Sequence, residues 1–220
     1  MKARCREPRS SPRNQDHIGL GAIHTLPHDA LGSPVVFAAA PSNESARSSL
    51  ALMLLRSLER FDPRRGAPPD EKALTLRKSA LGAPCLFLGD KQGPSLSFSY
   101  GGGQLWAAIC GKRRVGIDVA YPEEFAGHYP FARAFSPKEL DWAGVLCHKD
   151  TARGAALIWS AKEAAVKAIG AGFNLFDPLD VTVGTPLFRE QGILMEVRAD
   201  RRITAWARTE GKGWLSVALG

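Results

Sequence analysis

The chain has few cysteines and no long apolar run. Its 220 residues include four cysteines, Cys5, Cys85, Cys110 and Cys147. They are widely separated and form no C-x-x-C, which argues against a zinc site. Cys85 and Cys110 sit in apolar stretches that suit reduced core thiols. No apolar run approaches the eighteen or so residues a membrane helix needs. The basic N-terminus is followed by Pro, Ser, Asn and Asp rather than by an apolar core, so it does not read as a secretory signal. It is also short of acids, as organellar targeting segments are. A cytoplasmic monomer is the expectation.

Twenty-nine Lys and Arg against 22 Asp and Glu leave a net charge of +7. Lys2, Arg4, Arg6, Arg9 and Arg13 against Glu7 place +4 of it in the first fourteen residues, so about +3 remains for the rest. The high isoelectric point is therefore a property of the tail. A basic nucleic-acid-binding protein is a third reading, but no recognisable module supports it. The hydrophobic content of 45% and charged content of 23% are ordinary for a globular protein. The length suffices for one large α/β domain or two small halves around a continuous core.

Residues 1–33 show no sustained period and read as a basic, flexible tail. The apolar run 35–40 predicts a strand, and Pro41 to Ser45 supply turn and cap chemistry. Leu50, Met53, Leu54 and Leu58 recur at helical spacing over residues 46–60. A Pro- and Arg-rich loop follows over 62–71. Strand-like runs lie at 85–88, 96–100, 105–110 and 115–119. Gly111-Lys112-Arg113-Arg114 reads as a hairpin-type turn before the last of these. Short helices are expected over 122–133 and 137–146, and a long one over 152–169 stopped by Gly170. The remainder, 181–183, 193–197, 203–207 and 214–219, alternates and breaks like antiparallel strands.

Two segments carry candidate chemistry. In Val115-Gly116-Ile117-Asp118-Val119 a carboxylate follows a glycine inside an apolar strand. Burying it costs several kcal/mol unless a metal or donors compensate; alone, the segment reads better as a strand-end Asp capping a turn. In Trp159-Ser160-Ala161-Lys162-Glu163-Ala164-Ala165-Val166-Lys167, positions 159, 163 and 167 share one helical face. A surface Glu–Lys pair would also have this spacing. The Trp on the same face argues for packing, and a Glu and Lys one turn apart suit a site holding metal and phosphate.

Taken together, the two segments resemble the Sfp-type 4′-phosphopantetheinyl transferases. That family has a Gly-Ile-Asp strand followed some forty residues on by a Trp-x-x-Lys-Glu-x-x-x-Lys helix. Here these are Gly116-Ile117-Asp118 and Trp159-x-x-Lys162-Glu163-x-x-x-Lys167. Phe135-Ser136-Pro137-Lys138-Glu139-Leu140 is similar to the family's Phe-Ser-x-x-Glu segment. Gly82-Ala83-Pro84 and Leu96-Ser97-Phe98-Ser99-Tyr100 resemble its Gly-Lys-Pro and Asn-x-Ser-His segments.

The resemblance implies an α/β (α+β) fold of two similar halves about a pseudo-twofold axis, residues 34–114 and 115–220, with the site between them. It implies Mg²⁺-dependent transfer of 4′-phosphopantetheine from coenzyme A to a serine of an apo acyl or peptidyl carrier protein. The alternative is a non-catalytic homologue that binds coenzyme A or a carrier protein without transfer. Asp118 and Glu163 would be metal ligands, since Mg²⁺ takes hard oxygens. Lys167 would be catalytic with them, neutralising phosphate charge in the transition state, and Glu163 is a candidate acceptor of the serine proton. Arg47, Ser99, Tyr100, Lys162 and Lys167 would bind coenzyme A.

Three positions depart from the pattern. Ala120 stands where a second acid is common, and neither Glu123 nor Glu124 has a sequence-based reason to replace it. Tyr100 stands for the His, and a phenol adds no positive charge. Ala83 stands for the Lys.

Overall fold

A computed structural model of the chain describes residues 21–26, 31–43, 45–60, 73–173 and 175–220. The fold is α+β, with three antiparallel sheets and three α-helices among these residues. The first sheet runs β1 (His24–Leu26), β2 (Val35–Pro41), β7 (Gln104–Cys110), β6 (Ser95–Gly101). Helix α1 (Ala46–Glu59) covers one face. A small sheet of β3 (Leu74–Lys78), β4 (Pro84–Leu88) and β5 (Lys91–Gln92) packs beside it. The second large sheet runs β10 (Leu187–Arg189), β11 (Gly192–Arg198), β12 (Arg202–Glu210), β13 (Gly213–Leu219), β8 (Val115–Ala120), with β9 (Thr182–Val183) against β11. Helices α2 (Pro137–Leu146) and α3 (Thr151–Ile169) cover its outer face.

Period-two alternation sorts the side chains into layers. On β2 and β7, Val36, Ala38, Ala107 and Ile109 face α1. Their neighbours Val35, Phe37, Ala108 and Cys110 face the other large sheet, where they meet Ile117, Trp206, Leu215 and Val217. On the far side, Ala156, Ala161, Ala165 and Val166 of α3 pack on Ala205, Ala207 and Ala218. One core therefore lies between the sheets and one under each helical layer.

Most expected elements fall where the sequence places them. The helix expected over 46–60 is α1, those over 137–146 and 152–169 are α2 and α3, and Gly170 caps α3 at φ 84°. Three readings change. Gly111 to Arg114 is not a hairpin turn but a crossover, because β7 and β8 lie in different sheets. Residues 122–133 form two short 3₁₀ turns, Pro122–Phe125 and Phe131–Arg133, in a stretch holding two prolines and Gly127. Within the expected tail, His24–Leu26 pairs with β2, Leu26 is buried, and His24 stacks on Phe37. The tail's basic residues and the 62–71 loop lie outside the described residues.

The two large sheets meet along a polar seam. Ser95, Ser97 and Ser99 alternate on β6, so their hydroxyls share a face. They accept hydrogen bonds from the backbone N–H groups of Val115 (3.0 Å), Ile117 (3.2 Å) and Val119 (3.3 Å). These three amides lie on the strand edge opposite β13. Left unpaired in the interior, each would cost about 1–3 kcal/mol. The seam fixes the register of β8 against the first sheet, and with it the position of Asp118.

Candidate active site

Asp118 is nearly buried on β8, on the side facing α3. Its carboxylate accepts from Ser99 Oγ at 2.8 Å and from Lys167 Nζ at 2.6 Å. The Lys167 ammonium also donates to the Ile117 carbonyl at 3.3 Å and lies 3.8 Å from the Glu163 carboxylate. Glu163 and Lys167 stand one turn apart on α3, as their spacing predicts.

Gly116 allows the helix to come this close. A Cβ there would collide with the Ala164 carbonyl oxygen and the Ala168 amide nitrogen, so only glycine lets the α3 backbone rest on β8. Ala161, Ala164, Ala165 and Ala168 keep that face of the helix small. Trp159, on the same stripe as Glu163, stacks on Phe173 at 4.9 Å and meets Phe125 and Phe135 edge-on. This aromatic packing fixes the helix's rotation.

Burial pushes the Asp118 carboxyl above its ordinary value, and the Lys167 charge opposes the rise. Burial likewise pushes Glu163 up; Lys167 opposes this and the nearby Asp118 charge adds to it. A cation between the two carboxylates relieves both, and the Lys167 ammonium holds such a position. The oxygens suit Mg²⁺, which is commonly held by one or two carboxylates with substrate phosphates and water. Among the described residues, no group of three or more His, Cys, Asp or Glu side chains gathers as a metal site.

Ala120 is fully buried and belongs to the apolar cluster beneath α3. A longer acid there would have to displace packed side chains. Glu124 is exposed, and its carboxylate accepts from the Tyr121 backbone N–H at 2.7 Å. Although the residue as a whole is exposed, partial desolvation of its carboxylate raises its titration; the Tyr121 N–H opposes the rise and the Asp118 charge adds to it. Glu124 is thus within electrostatic reach of Asp118.

A cleft of about 750 Å³ opens beside this cluster. It runs between the end of α3, strands β4 and β6, and the turn joining β3 to β4. Among the described residues, Arg47, Arg77, Lys78, Arg114 and Lys167 line it against the single carboxylate of Glu163. Five cations and one acid describe a binding site for a polyanion. Arg114 also donates to the Ile169 carbonyl at 2.8 Å, closing the C-terminal end of α3.

The structure thus brings Arg47, Glu163 and Lys167 to the cleft, with Asp118 and Ser99 directly behind Lys167. Tyr100 lies outside the lining, half exposed, beside Arg47. Lys162 does not reach the cleft. It is fully buried, and its ammonium donates to the Ala134 carbonyl (2.7 Å), the Pro178 carbonyl (2.9 Å) and the Glu139 carboxylate (3.2 Å). An ammonium has three protons, so none is left for a phosphate.

Glu139, the acid of the Phe-Ser-x-x-Glu segment, is the hub of this buried cluster. It is 2% exposed. It accepts from the Ser136 backbone N–H and hydroxyl, from the Val183 N–H and from Lys162. Its signal was present as a capping box, Ser136 followed three residues later by Glu139. Arg77, Lys78 and Arg114 were missed, since isolated basic residues carry no periodic signal.

Residues 114–216 match the family model of the 4′-phosphopantetheinyl transferase superfamily. The match begins at the crossover into β8 and takes in Asp118, Glu139, Lys162, Glu163 and Lys167. This stretch is therefore similar to transferases of that superfamily. No curated protein matches the chain. No helix among the described residues is long and apolar enough to cross a membrane.

Proposed function

We propose that the protein transfers the 4′-phosphopantetheine arm of coenzyme A to a serine hydroxyl of an apo carrier protein, with Mg²⁺. The observation that carries this reading is the cation-lined cleft ending at the Asp118–Lys167–Glu163 cluster. Coenzyme A is a polyanion, and its pyrophosphate is the reacting group.

In the reaction the serine oxygen attacks the β-phosphorus. The bond from that phosphorus to the bridging oxygen breaks, and 3′,5′-ADP leaves with the electron pair. Asp118 and Glu163 would hold the metal, which when bound offsets charge on the pyrophosphate. The Lys167 ammonium, already at the cleft wall, would stabilise charge that builds on the phosphoryl oxygens. Glu163 is the residue suited to take the serine proton. It is partly exposed on the cleft, where a hydroxyl could reach it directly or through a water. Asp118, tied in place by Ser99 and Lys167, would act as a metal ligand rather than as a base.

The experiment is transfer of a labelled pantetheine arm from coenzyme A to an apo carrier protein, with and without magnesium. Magnesium-dependent labelling of the carrier serine is expected. Tight binding of coenzyme A without labelling of any apo carrier tested would replace this reading by that of a non-catalytic homologue.

A further inference from the structure

We propose that Tyr100 is a positioning residue, holding the Arg47 guanidinium at the rim of the cleft so that Arg47 can grip a phosphate of the ligand. This rests on the proposed phosphate-bearing ligand, and it concerns a position where the chain departs from the Sfp-type pattern.

Arg47 lies at the start of α1, in a helix with no acid in its first turn. Its side chain reaches across to β6. There Arg47 Nε donates to the Tyr100 hydroxyl at 2.8 Å. The guanidinium carbon also lies 5.4 Å from the Tyr100 ring centroid and 5.5 Å from that of Phe98. One edge of the guanidinium is thus tied, and its charge lies within cation–π distance of two rings. Among the described residues no carboxylate forms an ion pair with Arg47. An arginine with no acid partner among the described residues, held in place at a cleft that four other cations also line, is arranged for an anionic ligand.

Tyr100 does not line the cleft itself. It acts on the ligand through Arg47, by limiting the rotamers that the long side chain can occupy before binding. Less freedom is then lost when the phosphate arrives. Where the family pattern has a His to meet the ligand, this chain uses a phenol to aim an arginine from another element. Position 100 and position 47 should therefore behave as one unit.

The test is calorimetric binding of coenzyme A and, separately, of inorganic pyrophosphate. The proteins are the parent, Tyr100→Phe, Tyr100→Leu, Arg47→Ala and the Arg47→Ala/Tyr100→Leu pair. Tyr100→Phe keeps the ring and loses the hydrogen bond, so affinity should fall about 2- to 5-fold. Tyr100→Leu also loses the cation–ring contact and should fall about 10-fold. Arg47→Ala should fall at least as far, and adding Tyr100→Leu to it should change affinity less than about 2-fold.

Full additivity in the double variant, or unchanged affinity in Tyr100→Leu, overturns the proposal. Melting curves guard against a folding defect, which a half-exposed side chain should not cause. If the parent binds pyrophosphate with the expected coupling but not coenzyme A, the positioning role stands and the transferase reading falls. If it binds coenzyme A without coupling, the reverse holds. No binding of either probe overturns both.

Discussion

Lys162 and Lys167 stand five residues apart on the same helix, each paired with a carboxylate from a distant element, yet their surroundings differ. The Lys162–Glu139 pair is closed. Both side chains are almost completely buried, every ammonium proton has an acceptor, and the carboxylate takes further donors from Ser136 and Val183. The Lys167–Asp118 pair is open on one side. The Lys167 side chain is 27% exposed, faces a cleft, and has a second carboxylate, Glu163, 3.8 Å away. A closed pair locks two helices and a strand together. An open pair leaves a charge that a ligand can engage.

The comparison would break most visibly at the closed pair. Lys162→Met leaves Glu139 buried without its cation and should cost about 3–5 kcal/mol, as breaking a buried pair does. A lowered urea midpoint measures it. Replacing both partners, as Lys162→Met with Glu139→Gln, should recover part of the loss because no unpaired charge remains. If Lys162→Met kept its stability and instead lost affinity for coenzyme A, the roles of the two lysines would be exchanged.

At the open pair the loss should be of activity. Asp118→Asn and Glu163→Gln are each expected to reduce transfer by about 100-fold or more, with melting curves close to the parent's. Lys167→Ala should lower kcat by about 10- to 100-fold and move KM less, since the charge it meets develops in the transition state. A raised KM with kcat unchanged would make Lys167 a binding contact only.

A smaller effect sharpens the role of the seam behind Asp118. Ser97→Ala strands the Ile117 amide and should cost about 1–3 kcal/mol. Denaturant titration would show it, and an unchanged midpoint would mean that the amide finds another partner.

The smallest effect concerns pH. The folded-state titration of Glu163 lies above its unfolded value because burial disfavours the charge. In the window between those two values the native protein binds more protons than the unfolded chain. This group therefore makes stability fall as pH rises from the ordinary carboxylate range through the raised value. Glu163→Gln should flatten that part of the curve of urea midpoint against pH. An identical slope in the variant would assign it to other groups.

The local elements were legible because their signals are local. Leu50, Met53, Leu54 and Leu58 mark α1, Gly170 stops α3, and the 3.6-residue period aligns Trp159, Glu163 and Lys167. The same period turns Lys162 about 100° from Glu163, but only Glu139, 23 residues upstream, explains where it goes. The crossover at Gly111–Arg114 resembled a hairpin because glycine and basic residues suit either connection. What separates the two is the pairing of β8 with β13 at the far end of the chain.

The sequence by itself determined which residues could form a strand, a helix face and a buried acid, because backbone period and side-chain polarity act over a few residues. It also contained the glycine that lets α3 touch β8. Tertiary structure decided which acid meets which lysine, and which basic residues share a cleft. Arg47, Arg77, Arg114 and Lys167 come from four separate segments, and only the packing of helix and hairpin against the two sheets brings their charges together. Electrostatic interaction depends on distance in space, and that distance is set by the closed core rather than by separation along the chain.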